Sequence, residues 1–77
     1  MDVLVGRVYK HFKGNYYLVV GTALNTETEE LMVIYKALYE DGQVFARPIS
    51  SFTEKVERNN QTYRFELQEI ESQTNHQ

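Results

Sequence analysis

Seventy-seven residues, 42% of them hydrophobic, suffice for one domain with one core and leave much of its surface wet. The absence of cysteine excludes disulfide stabilisation, thiolate chemistry and any cysteine-based zinc site. A formal net charge of −3 argues against nonspecific attraction to nucleic acid or to anionic membranes, which requires a clearly positive surface.

The opening Met1–Gly6 lacks a basic n-region and a long apolar h-region. No run approaches the roughly 20 apolar residues that span a bilayer, so the chain reads as cytoplasmic, with no membrane partner. Val3–Tyr9 is β-branched and apolar and predicts a first strand; Tyr16–Leu24 repeats that character and predicts a second. Between them Lys13-Gly14-Asn15 predicts a hairpin turn, because Gly supplies positive φ and Asn tolerates it. Asn25–Glu30 is a polar connector. Leu31–Tyr39 is long enough for a helix, but Val33, Ile34, Tyr35 and Tyr39 favour a strand, and Asp41-Gly42 is a hairpin signal followed at once by extended Val44–Ala46.

Pro48 stops that strand, having no ladder donor. Pro48–Phe52 suits one helical turn that turns Ile49 and Phe52 to the core, since residues three apart share a face. Thr53–Arg58 and Gln61–Leu67 form a final pair across Asn59-Asn60. Tyr63, Phe65 and Leu67 alternate with polar neighbours, which predicts one buried face. Residues 71–77 carry no large apolar side chain and read as a disordered tail.

Five or six antiparallel strands with one short helical turn predict a mainly β fold over residues 1–70: a small SH3-like, partly open barrel. Strong bending is expected, so that both the Tyr17-Val19 and the Leu18-Val20 faces are buried. Tyr17, Phe52 and Phe65 are expected in the core.

Three segments carry a resemblance: YKHFKGNYY at 9–17, ETEELMVIYKALYEDG at 27–42 and ARPISSF at 46–52. Together they resemble the bacterial family of unknown function 1653, whose pattern has a Tyr-x-His-Phe-Lys-Gly-Asn start, a Glu-Thr-x-Glu connector, a Leu-Tyr ending and an Arg-Pro followed by Phe. His11, Phe12, Lys13, Gly14, Asn15, Glu27, Thr28, Tyr35, Leu38, Tyr39, Arg47, Pro48 and Phe52 stand at motif positions, and Arg64-Phe65 resembles the family's final strand. Phe45 stands where many relatives carry Trp. The resemblance supports the fold and implies no reaction.

Charge is spread unevenly: through Asn25 three bases face Asp2 alone, whereas Thr26 onward holds ten acids against five bases. His11 is the side chain closest to neutral titration. A general base must be aimed by a neighbour, and a carboxylate of Glu27, Glu29 or Glu30 is the candidate. The commoner role of a histidine beside a hairpin is to bond backbone and pack its ring. Arg47, held by Pro48, offers a planar fork for a phosphate or carboxylate; its competing role is an ion pair with Glu27, Glu29 or Glu30. Lys13 and Asn15 add an ammonium and an amide at the hairpin tip. Tyr9 and His11 share a strand face, as do Tyr35 and Tyr39, so an aromatic patch with Phe12 is geometrically open to them.

The favoured reading is a noncatalytic binding module whose surface is Tyr9, His11, Phe12, Lys13, Asn15, Tyr35 and Arg47. Its ligand is anionic or planar: a nucleotide, a nucleic-acid element or an acidic peptide. No catalytic set, metal or cofactor is assigned. The alternatives are a small hydrolase using His11 as acid and base, and a structural or homo-oligomeric domain.

Overall fold

The computed structural model describes residues 2–69, so the expected tail at 71–77 lies outside the described residues. The elements are β1 (Val8–His11), β2 (Tyr16–Leu24), β3 (Leu31–Ala37), β4 (Val44–Pro48), α1 (Ile49–Phe52), β5 (Lys55–Arg58), β6 (Gln61–Tyr63) and β7 (Phe65–Leu67). A five-stranded antiparallel sheet has the order β4-β3-β2-β1-β7, and β5 pairs with β6 in a separate hairpin. The fold is mainly β, as expected, and the sheet does not close, since β4 and β7 are its two edges.

Among the described residues seven strands replace the expected five or six because the strand predicted over Gln61–Leu67 breaks at Arg64. Before the break the chain pairs with β5; after it, the chain pairs with β1. Polar groups at the break account for the change of partner. The buried Gln61 amide donates to the carbonyls of Lys10 at 2.7 Å, Tyr63 at 3.0 Å and Arg64 at 3.3 Å. The Glu66 carboxylate accepts from the N–H groups of Thr62 at 2.7 Å and Tyr63 at 3.0 Å. These bonds satisfy backbone groups that an interrupted ladder would otherwise leave without partners.

The period-two pattern puts Tyr9, Tyr17, Val19, Val33, Tyr35, Ala37 and Phe65 on one buried face, and α1 lays Phe52 across them. Phe52 and Phe65 stack with ring centroids 4.1 Å apart and planes 4° from parallel. Tyr35 meets both edge-on, at 5.4 and 5.2 Å. Each such ring contributes about 1.5–3 kcal/mol through burial. Ile49 packs against the same cluster, so the helical turn faces the core as expected.

The second sheet face departs from expectation. Leu18 is half-buried and Val20 stays 45% exposed, so only the Tyr17-Val19 face forms the core. Among the described residues the helix that covers the sheet, α1, packs on the Tyr17-Val19 side. A bulge between Val19 and Gly21 breaks the strict alternation further along β2.

The turns are built as their residues demand. His11 O accepts from Gly14 N at 2.8 Å and His11 N donates to Asn15 O at 2.9 Å, closing a three-residue connection. Gly14 takes φ of 112° there; among the described residues of that turn it alone has positive φ. Asn59 and Asn60, with φ of 53° and 64°, form the two-residue turn expected between β5 and β6. β3 ends at Ala37, two residues short of the expected Tyr39, because the chain then enters a turn in which Gly42 N donates to Tyr39 O at 3.0 Å.

Candidate functional site

The hairpin tip and the end of β4 meet over one ring, that of Phe65. β1 pairs with β7 so that His11 lies opposite Phe65, and the two rings meet edge-on at 4.8 Å. Arg47, on the core face of β4 opposite Val33, places its guanidinium carbon 5.7 Å from the centre of the Phe65 ring. The strand pairing explains the convergence: Pro48 fixes the end of β4, and β7 carries Phe65 between the two polar residues.

Arg47 is positioned by hydroxyls. Its Nε donates to the Tyr35 hydroxyl at 3.1 Å and its Nη1 to Ser51 Oγ at 2.9 Å. Among the described residues it has no carboxylate partner; the ion pairs are Arg7 with Glu69, Lys55 with Glu57, and Arg64 with Glu54. The expected alternative, a pair with Glu27, Glu29 or Glu30, is therefore not formed. Arg47 stands opposite Val33 and through it in line with Thr22, but its guanidinium is turned to the hydroxyls of Tyr35 and Ser51, whereas those acids lie in the connector beyond Leu24. There Asn25 Oδ1 accepts from the N–H groups of Glu27 and Thr28 at 2.9 and 3.3 Å, making a self-contained turn.

Arg64 joins the site. Its Nε donates to the Ser51 carbonyl at 3.2 Å, while its Nη2 contacts Glu54 Oε1 at 2.6 Å. Two guanidinium groups are thus anchored on a single residue, Ser51, and one of the two is paired with a carboxylate. Arg64 escaped the sequence reading as a site residue because simple alternation put it on the wet face of a continuous strand. The signal that marked it was its place beside Phe65 in the final family motif.

His11 is a neutral imidazole here. Its Nδ1 accepts the backbone N–H of Lys13 at 3.1 Å. Burial, then the charges of Arg47, Arg64 and Lys13, lower its pKa from 6.5 to about 4. With Nδ1 acting as acceptor, the ring proton resides on Nε2, which is a donor. Phe12 stacks on His11 at 4.5 Å and is held at both backbone groups: its N–H donates to Arg64 O at 3.0 Å, and its carbonyl accepts from Asn59 Nδ2 at 2.9 Å.

The tyrosines are placed differently from the expected cleft. Tyr9 is 3% exposed and its hydroxyl accepts from Leu4 N at 2.8 Å, so its ring belongs to the core. Tyr35 is also buried, and reaches the site through the hydroxyl that receives Arg47. The aromatic surface lies instead at Phe45, 38% exposed and tilted against Tyr35 at 5.6 Å. Lys13 and Asn15 are exposed at the tip. Nearby, the Tyr17 and Tyr39 hydroxyls are 2.9 Å apart; burial and this bond push the Tyr17 pKa up to about 12, so that phenol stays protonated.

The comparisons with known proteins agree with this architecture. The family described as "Protein of unknown function (DUF1653)" matches residues 7–67, and the chain belongs to that family. A crystal structure of a DUF1653 protein from Bordetella bronchiseptica is similar, with 34% identity, a TM-score of 0.73, and coverage of 84% of this chain and 86% of the other. No curated protein matches the chain. Among the described residues no helix is long and apolar enough to cross a membrane.

Proposed function

We propose that the protein is a noncatalytic binding module for a planar ligand that carries an anionic group, a nucleotide being the class that combines both. The anchoring of Arg47 and Arg64 on Ser51 is the observation that supports this most. Holding two like charges together is unfavourable, and Glu54 offsets one of them. An anion received by the remaining guanidinium would relieve the rest. Nε2–H of His11 supplies a neutral donor on the same ring of Phe65, and Phe45 supplies an exposed π-face for the planar part.

The arrangement favours binding over hydrolysis. A general base works best with a pKa near the operating pH, whereas that of His11 is lowered to about 4 and its Nδ1 is already engaged. No carboxylate among the described residues is hydrogen-bonded to it, and the hydroxyl of Ser51 is occupied by Arg47.

The test is titration of the protein with thymidine 5′-monophosphate, followed by nuclear magnetic resonance and calorimetry. Amide and side-chain signals of His11, Phe45, Arg47 and Arg64 should move together. Arg47→Lys keeps the charge and loses the fork, and should weaken binding by about tenfold. An unmoved His11 signal at millimolar nucleotide, or equal affinity in the lysine variant, would overturn the reading.

A further inference from the structure

The site does not end at Arg64. The same side chain lines a surface depression of about 320 Å³, shared with Phe12, Glu54, Lys55, Val56 and Arg58. Through Ser51, which both guanidinium groups contact, this depression is joined to the position of Arg47.

The backbone of β5 is distorted in a way that equips this second position. Lys55 pairs with Tyr63 and Arg58 with Gln61, so the register slips by one between them. In a regular strand residues three apart point to opposite faces. The bulge brings Lys55 and Arg58 to one side instead, and Glu57 takes φ of 53° to allow it. The Arg58 guanidinium then lies 6.0 Å from the centre of the Phe12 ring, whose other contact is His11. The Asn59 bond to the Phe12 carbonyl locks this turn to the β1–β2 hairpin.

Cations and rings are therefore interleaved in one region, with Phe45 and Arg47 on β4, His11 stacked with Phe12, and Arg64, Arg58 and Lys55 around Phe12. Five of the eight Lys and Arg residues, counting Lys13, gather in this region of a chain whose net charge is −3. A mononucleotide would use one anion position. Two joined positions fit a ligand with repeated phosphates and accessible bases, because backbone charge follows the cations while bases stack on rings.

Resting on the reading above, we propose that the physiological ligand class is single-stranded nucleic acid, bound across both positions with one base on Phe45 and a neighbouring phosphate at Arg58 and Lys55. The acidic remainder of the surface restricts binding to this track and opposes the nonspecific adhesion of a uniformly basic domain.

The experiment compares a 5′-phosphorylated thymidine trinucleotide, thymidine 5′-monophosphate, a twelve-base-pair duplex and an octaglutamate peptide, by calorimetry at several salt concentrations. The trinucleotide should bind at least about tenfold more tightly than the mononucleotide. The exposed Arg58→Gln variant should weaken the trinucleotide several-fold, leave the mononucleotide unchanged, and reduce the slope of log affinity against log salt by about 0.7. Equal affinities for the two ligands, or no effect of Arg58→Gln, would overturn the track and leave the mononucleotide site standing. Duplex or octaglutamate binding as tight as the trinucleotide would overturn the single-strand assignment. Failure of mononucleotide and trinucleotide alike would remove the underlying site as well.

Discussion

The backbone N–H of Lys13 lies 3.1 Å from Nδ1 of His11, and this bond fixes the tautomer of the one histidine among the described residues. The bond is available only to the neutral ring, since imidazolium is a donor at both nitrogens.

Stability should therefore depend on pH in a defined window. The pKa of His11 is near 6.5 when unfolded and about 4 when folded, so between these values the unfolded chain binds the extra proton. The sign is fixed by linkage: stability rises with pH across the window, and is lost as pH falls from 6.5 toward 4. Urea midpoints measured through this range should decline with acidification, and His11→Gln should flatten that part of the profile. A profile unchanged by the substitution would contradict the assignment. An anionic ligand at the site should raise the His11 pKa, visible as a shift of its ring signals.

Gln61 should prove one of the least replaceable polar residues. Its amide serves three carbonyls where the chain passes from one sheet to the other. Gln61→Leu keeps the volume and removes every one of these bonds, while the Arg64 carbonyl retains only the N–H of Phe12. A loss of about 1–3 kcal/mol is expected, read as a lower denaturation midpoint with unchanged m-value.

Gly14 isolates a backbone effect. A Cβ there would meet nothing within 4 Å, yet φ is 112°. Gly14→Ala should cost about 1–3 kcal/mol from conformational strain alone. If the alanine variant melts at the wild-type temperature, the turn is not held as described.

Much of the fold was legible because its strands alternate and its turns are written in Gly, Asn and Pro. Val33 and Tyr35 exclude a helix, Asn59-Asn60 marks a hairpin, and Phe52 falls to the core three residues after Ile49. What was not legible was non-local. The break at Arg64 depends on an amide from Gln61 reaching Lys10, and nothing in the alternation of Tyr63, Phe65 and Leu67 announces it. The same applies to the site. His11 and Arg47 could be nominated from residue type and turn chemistry, but Arg64 and Ser51 become partners only once β7 lies against β1. Tyr9 and Tyr35 look like surface aromatics until one asks what else can fill so small a core.

The pairing of β1 with β7 has a kinetic consequence. It joins the two ends of the described chain, with Tyr9 opposite Leu67, whereas β2 meets β3 through a local hairpin. Closing the longer loop carries the larger entropic penalty, so the β2–β3 ribbon should assemble early and the terminal strand should dock last. Phe65 arrives with that strand. The ring that unites His11 and Arg47 should thus be placed in the final step of folding, and amide exchange in β7 should report the moment when the proposed site is completed.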